Sequence, residues 1–393
     1  MLLVCSHLSK TEAAYRRISY LAKYLRSNRL RVMCAGTLSL TRYGILRPSE
    51  ECIAVSISVS TRSFAISYLL NVVLSLSLTV LILALRPKIV LVSIPDSYLV
   101  LASYFGCALT RARLVVDIRD PQEEIMVWEY RRRLSGLLSR MYRWINYAIY
   151  RKSHAVVGVT RSLVAMLARQ IGRPVHLAPN GADLEVFKPL DKFIARKRLG
   201  LNQNSFLIAY AGGLSSYRYY DLSPLLLAIR RVRKKLGIDA KLVVAGPILD
   251  NHIKRVIESF RDELVYLGLL DVKGVVMLLS ACDIGAIPRV NDPVYDYALP
   301  VKFYEYIAMG LPLIVTANMR SELAKIVHEN ELGVICERHD VSCLEKALLH
   351  FLLDEETIVN LRNNILKFRW MIDREMGAKI LFKILNEVVA LKG

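Results

Sequence analysis

A strand-like run at Met1–Cys5 and twelve further short apolar runs constrain this chain more than any other feature. The first six are Leu30–Ala35, Ile53–Val59, Ile89–Ser93, Leu114–Asp117, Ala155–Val159 and Val175–Ala178. The second six are Phe206–Ala211, Lys241–Ala245, Val265–Gly268, Ile284–Ile287, Leu313–Thr316 and Gly333–Cys336. Helical spacing fills the gaps. Between Glu12 and Arg26, for example, Ala14, Ile18, Leu21 and Leu25 share one face. Continuous apolar strands alternating with helices make parallel sheets covered on both faces. The alternation breaks at 180–204, where Gly, Pro, Asp and Asn surround the basic run Arg196, Lys197, Arg198 and read as a linker. The last segment, Glu355–Leu391, has helical spacing and no strand. The expected fold is α/β, with two doubly wound parallel-sheet domains facing a cleft and ligands at the carboxyl ends of the strands.

With 54% hydrophobic residues the chain has ample surface to bury, which excludes disorder. Seven scattered cysteines with no CxxC pair exclude a disulfide scaffold and favour a reduced, cytosolic setting. They also lack the spacing of a structural zinc site. The opening run has neither a basic n-region nor a small-residue cleavage site, so no secretory signal is expected. The net charge of +19 calls for an anionic partner. It is unevenly placed: residues 1–187 hold 25 Lys+Arg against 11 Asp+Glu, and residues 188–393 hold 29 against 24.

Two helical segments bear on that partner. Ser63–Leu85 carries no charge over 23 residues and is flanked by Arg62 and Arg86. At ~1.5 Å per residue it is long enough to cross a hydrocarbon core of ~30 Å. Ser63, Ser67, Asn71, Ser75 and Thr79 nevertheless form a polar stripe along it. It is either a sheet-covering helix or one that lies on, inserts in or spans a membrane. In Arg131–Lys152, Leu134, Leu138, Met141, Ile145 and Ile149 form an expected apolar face, with Arg133, Arg140, Arg143, Arg151 and Lys152 around it. That suits an anionic membrane surface or an ordinary solvated basic face.

The segment Leu299–Thr316 carries the strongest local chemistry. Pro300 can open a helix at its first position, and Gly310 and Pro312 close it. Lys302 and Glu305 are neighbours on that helix. Free N–H groups at its start and the Lys302 charge suit a phosphate, and Glu305 suits a ribose diol. The alternative is an ordinary salt-bridge pair.

Here the chain resembles the glycosyltransferase family 4 group with the GT-B fold. Pro300–Pro312 resembles the family's P-x-K-x-x-E-Y-x-A-x-G-x-P segment, and Pro179–Pro189 its P-N-G-x-D-x-x-x-F-x-P signature. Tyr210–Ser215, Leu242–Pro247, Val265–Gly268 and Ala281–Pro288 follow in the expected order, and Val115–Asp120 is similar to the acceptor-domain segment of members that act on lipid-linked or surface glycans. The resemblance implies an acceptor-binding domain over 1–187, a nucleotide-sugar-binding domain over 188–365, and a helical segment, 366–393, returning to the first domain past Trp370. It implies retaining, hexosyltransferase-type transfer with a nucleotide-sugar co-substrate, no cofactor and no bound metal. Without metal, cations and helix-terminal amides must neutralise the diphosphate. Arg218 and Lys302 are the candidates, with Gly212, Gly213 and Gly246 allowing close backbone approach. Tyr297, Leu299, Pro300, Val301 and Glu305 complete the donor side. Arg218, Lys302, Glu305 and Asp120 are the candidate catalytic residues.

The chain departs from the family in places. Gly213 stands where an Arg is common, and Tyr297 where the first Glu of a pair is expected. Asp292 and Asp296 are nearby carboxylates, either stand-ins for that Glu or part of a solvated loop. The first loop, Ser6–Thr11, is not glycine-rich. On the acceptor side, Asp120 is the candidate base, with Arg119 beside it and Asp117 closing the strand. Arg16 could reach an acceptor or donor phosphate. His7 is a further acceptor-side candidate, and His154, like His7, is more simply structural.

The leading expectation is a transferase acting on a lipid-linked or surface-glycan acceptor, cytoplasmic and peripheral at the inner face of an anionic membrane. A soluble sucrose-, trehalose- or glucan-type synthase is the alternative enzyme. A non-catalytic GT-B partner protein is the alternative of another class. No nucleic-acid module is present, so nucleic acid is not expected as a partner.

Overall fold

The computed structural model describes residues 1–6, 8, 13–41, 44–45, 52–59, 64–94, 97–130, 133–215, 220–290 and 293–390. Its contacts form two units, Met1–Asn180 with Arg374–Gly393, and Gly181–Asp373. The first cut precedes the 187/188 boundary expected from sequence. Ala182 and Phe187 already belong to the second unit's core, and Ala182 N donates to Ile372 O at 2.9 Å. The second cut follows the expected 365/366 boundary for the same reason: Ile365 and Ile372 lie in that core.

The first unit runs β1 (Leu2–Cys5), α1 (Ala13–Ser27), β2 (Met33–Thr41), β3 (Gly44–Ile45), β4 (Cys52–Ser58) and α2 (Phe64–Leu85). It continues through β5 (Ile89–Ile94), α3 (Ser97–Thr110), β6 (Arg113–Ile118), α4 (Gln122–Glu129) and α5 (Arg133–Lys152). β7 (Ala155–Gly158), α6 (Arg161–Ile171) and β8 (His176–Leu177) follow. The strand order is β3-β2-β1-β5-β6-β7-β8, with β4 beside β2, and only the β2–β3 pairing is antiparallel among those described. Fully buried β1, β5 and β7 explain why the sequence shows unbroken apolar runs there.

The second unit holds α7 (Lys192–Arg198), β9 (Phe206–Ala211), α8 (Ser223–Leu236), β10 (Ala240–Ala245), α9 (Asn251–Ser259), β11 (Leu264–Tyr266) and α10 (Val272–Ala281). Next come β12 (Ile284–Pro288), a 3-10 turn (Pro293–Tyr297), α11 (Val301–Ala308), β13 (Leu313–Thr316) and α12 (Glu322–Glu329). β14 (Gly333–Cys336), α13 (Val341–Leu353), α14 (Glu355–Phe368) and a second 3-10 turn (Arg369–Ile372) complete it. Its sheet is wholly parallel, in the order β11-β10-β9-β12-β13-β14. The order reverses between β9 and β12, which is where such sheets place ligands. The chain then returns to the first unit as α15 (Arg374–Ala390), whose Leu381, Ile384 and Leu385 share a core with Ile18, Leu21 and Leu25 of α1.

Three expectations change. The 180–204 stretch is not all linker, because α7 lies inside it. Arg196 of α7 is buried, with Nε on Ala281 O at 2.8 Å and Nη2 on Asp283 Oδ2 at 2.9 Å. On α5 the buried positions include Ser139, Tyr142, Asn146 and Tyr150, while Met141 faces out, so the expected apolar face is rotated. Cys336 and Cys343 form a disulfide with Cα atoms 5.6 Å apart, and the other five cysteines are free and buried. A spacing of seven carries no pairing signature. The end of β14 and the first turn of α13 bring the two sulfurs together.

Candidate active site

In the second unit, the site grows from the reversal point of the sheet. β9 ends at Ala211, and Gly212 follows with φ 147°; β10 ends at Ala245, and Gly246 follows with φ 146°. A Cβ on Gly246 would lie 2.0 Å from Gly212 O. One on Gly212 would lie 3.0 Å from Lys302 Nζ. Both turns therefore require glycine, for backbone conformation as well as space. Gly213 is exposed, and its carbonyl accepts from Tyr210 Oη at 3.0 Å.

Lys302 arrives from α11. Pro300 is the N-cap of this helix rather than its first residue, at φ −67° and ψ 146°, and Phe303 N closes the first turn on its carbonyl at 2.9 Å. Every side chain from Lys302 to Ala308 is buried. Lys302 Nζ sits 3.6 Å from the ring centres of both Tyr210 and Tyr220. It is 6% exposed and has no hydrogen-bond partner among the described residues. Burial and then the Arg289 charge push it well below the usual ammonium range, and Glu305 opposes them. The two ring faces also favour the charged form.

The remaining groups around it are committed. Arg289, just past β12, donates from Nη2 to Ala298 O at 2.8 Å. Glu305 is buried one turn after Lys302, and Pro300 is buried too, whereas Leu299, Val301 and Tyr297 are half-buried. Asp296 is no solvated-loop carboxylate. It pairs with Arg338 and accepts from Asn318 Nδ2 at 2.9 Å, and burial raises its pKa despite these partners. Its oxygens are thus engaged within the protein rather than offered to a sugar. Arg218, Asp292 and His7 lie outside the described residues.

In the first unit, the carboxyl end of β6 holds Asp117, fully buried. It accepts from Arg17 Nε at 2.9 Å, Arg17 Nη2 at 2.8 Å and Ser93 Oγ at 2.8 Å. Arg17 also bonds Ala178 O (2.9 Å), Pro179 O (3.0 Å) and Asn180 Oδ1 (2.9 Å), strapping the Pro-Asn-Gly segment to α1. Sequence reasoning singled out Arg16 instead, which is half-buried one position earlier. One residue turns a helix by about 100°, so only packing shows which arginine meets the strand end.

Arg119 and Asp120 follow β6. Arg119 is buried, with Nε on Ile94 O at 3.0 Å; burial lowers its pKa while Asp120 and Asp117 raise it. Asp120 is half-buried. Glu123, on α4, escaped sequence reasoning altogether. It is fully buried, accepts from Tyr150 Oη and from Asn146 Nδ2 (3.2 Å), and burial pushes it up to about 7. His154 is structural: it precedes β7, at the amino end of the strand, and its Nδ1 accepts from Leu114 N at 3.2 Å. Among the described residues, no three His, Cys, Asp or Glu side chains gather as a metal cluster would.

Two family models divide the chain. Residues 15–186 match the model described as Glycosyltransferase Family 4, and residues 205–354 that of Glycosyl transferases group 1. The chain belongs to this glycosyltransferase family. It is 27% identical over 186 residues to the D-inositol 3-phosphate glycosyltransferase of Stackebrandtia nassauensis, covering 44% of this chain and 40% of that one. It is also 27% identical over 190 residues to the GDP-mannose-dependent monoacylated alpha-(1-6)-phosphatidylinositol monomannoside mannosyltransferase of Corynebacterium glutamicum, covering 46% and 47%. The chain thus spans about half the length of the curated relatives it matches. The solved sucrose-phosphate synthase of Thermosynechococcus elongatus superposes with a TM-score of 0.74 over 100% of both chains at 14% identity, so the fold is GT-B.

Proposed function

We propose that this family member transfers a sugar from a nucleotide-sugar donor to a lipid-linked or surface-glycan acceptor, at the cytoplasmic face of a membrane. The observation that carries the donor reading is the buried Lys302 amine beside Gly212, without a hydrogen-bond partner among the described residues. An unpaired buried ammonium costs several kcal/mol, so such a group is retained where an anion completes it. A diphosphate is the anion that fits the end of this sheet. Lys302 neutralises it as the leaving group departs, helped by Arg218 and the backbone of Gly212, Gly213 and Gly246. Glu305 accepts from the ribose, and Tyr297, Leu299, Pro300 and Val301 line the donor. No metal is needed in this scheme, and the sugar is transferred with retention. In the first unit, Asp120 accepts the acceptor proton beside Arg119, with His7 and Arg16 on the acceptor side. The excess of cations in residues 1–187 supports an acidic, membrane-borne acceptor.

The test is thermal unfolding and calorimetric binding with UDP, GDP and ADP. One of the three is expected to bind and to raise the melting temperature. Lys302→Met is expected to weaken that binding by about 30-fold or more, the loss of one charge-assisted contact. If none of the three binds the wild type, the donor reading fails.

A further inference from the structure

Helix α2 is built inside out. Its stripe of Asn71, Ser75 and Thr79 faces the protein. Asn71, 7% exposed, accepts from Val59 N at 2.8 Å and donates to Val59 O at 2.9 Å. Ser75, 1% exposed, donates to Val72 O at 2.7 Å, and Thr79 Oγ1 to Ala102 O at 2.9 Å. Leu78 and Ile82 complete the buried stripe. Ile82 lies over Gly106 of α3, where a Cβ would come within 2.9 Å. The outward side is aliphatic: Leu69 is 64% exposed, and Val73 and Val80 are each 63%. Only 28% of Ile66–Leu85 is buried, although it is long and apolar enough to cross a membrane.

Helices that cover a sheet in water show the reverse arrangement, with an apolar stripe inward and charge outward. Small and hydroxyl-bearing residues at the helix contact, with aliphatic residues turned away, is how helices pack in lipid. The face continues onto α3, where Phe105 and Leu109 are exposed. At its edge, Arg86, Lys88 and Arg111 are exposed, and Arg113 N on Lys88 O at 3.0 Å draws the ends of the two helices together. α5 packs beside α2, with Tyr68 edge-to-face on Tyr142 at 5.3 Å, and it exposes Trp144 and Arg140.

We propose that the outward face of α2 and α3 docks into the boundary between headgroups and acyl chains of an anionic membrane. The occupant is lipid because the face is aliphatic, its exposed Ser77 hydroxyl being engaged by Val55 O and Leu74 O rather than offered to a protein partner, and because the cations at its edge complement acidic headgroups. The helix lies along the membrane and does not cross it. Crossing would strip Asn71 of Val59, Ser75 of Tyr98 O (3.4 Å) and Thr79 of Ala102 O. This proposal shares the membrane with the proposed function, but its test reads lipid binding and not sugar transfer.

The full chain is floated with vesicles of phosphatidylcholine alone or with about one-third phosphatidylglycerol. It is expected to float with the mixed vesicles and to be released by alkaline carbonate. Val73→Glu/Val80→Glu is expected to weaken flotation about tenfold or more, with nucleotide binding and urea unfolding unchanged, since both positions are open. Arg86→Ser/Lys88→Ser/Arg111→Ser weakens binding only to the anionic vesicles. The docking is overturned if the wild type floats with neither vesicle, or if the double-Glu variant floats equally well. Retention after carbonate overturns it in favour of a spanning helix. A lipid-free dimer that the double-Glu variant makes monomeric overturns it in favour of a second copy. A wild type that binds nucleotide but no lipid sinks the docking and leaves sugar transfer standing; the opposite result does the converse.

Discussion

Two buried cations, one in each unit, are treated in opposite ways. Arg17 makes five hydrogen bonds, two of them to the buried Asp117 carboxylate. Lys302 makes none among the described residues and rests between two tyrosine rings. Both are nearly inaccessible to water. A cation whose donors are all used holds a structure together, whereas one whose donors are unused within the described residues leaves them open to a ligand, the role proposed above for Lys302. Glu123 is a third arrangement. Its carboxyl is buried and favours the neutral form, and neither its Oε2 nor Asn146 Oδ1 has a hydrogen-bond partner among the described residues.

These differences can be broken by mutation. The largest effect belongs to Arg17→Ala, which leaves the buried Asp117 carboxylate with Ser93 as its one side-chain hydrogen-bond donor among the described residues. It is expected to cost about 3–5 kcal/mol in urea unfolding. Arg17→Lys should recover little, because a single ammonium cannot span the carboxylate, the Ala178 and Pro179 carbonyls and Asn180 Oδ1. An Arg17→Ala protein as stable as wild type would mean that the cluster is not structural.

Glu123→Gln comes next. The folded pKa is raised to about 7, so the stability Glu123 confers is full below the unfolded value near 4.5 and is lost as pH rises through 7. Glutamine keeps the acceptor for Tyr150 and adds a donor for Asn146. The variant should gain up to about 3 kcal/mol over wild type near pH 8, a gap that closes near pH 4. A pH-independent difference would show that Glu123 is ionised in the folded state.

The smallest effect is on the ligand-free stability of Lys302→Met, expected to rise by about 1–2 kcal/mol near neutral pH. The folded pKa of Lys302 is depressed, so the wild type loses stability as pH falls from the unfolded value toward the folded one, and the Met variant does not. The gap should therefore narrow as pH rises toward 10. In the wild type, binding of a diphosphate should also take up protons, readable as a dependence of binding heat on buffer. A destabilised Lys302→Met protein would make the lysine a structural group like Arg17.

Much of the fold was legible in the sequence, because buried parallel strands must be apolar along their whole length. β9, β13 and β14 fall on the expected residues, and α11 with its Lys302–Glu305 pair lies where Pro300, Gly310 and Pro312 place it. The failures share one cause. The Arg17 strap, unnoticed beside Arg16, the buried Arg196 in a stretch that resembled linker, and the rotated face of α5 are all questions of which way a side chain points. Tyr210 and Tyr220 were missed for the same reason: a tyrosine in or near a strand gives no sign that its ring will face a lysine far along the chain.

The sequence by itself determined two parallel-sheet units and the glycine turns that end β9 and β10, since unbroken apolar runs closed by glycine admit few alternatives. Only the tertiary structure decided which charges are satisfied and which side of α2 meets solvent. The serines, asparagine and threonine along α2 gave the sequence a polar stripe, and a stripe has no direction until its neighbours are in place. Backbone groups of Val59 and Ala102 occupy that stripe, so its hydrogen bonds close inside the protein and the aliphatic side is turned outward.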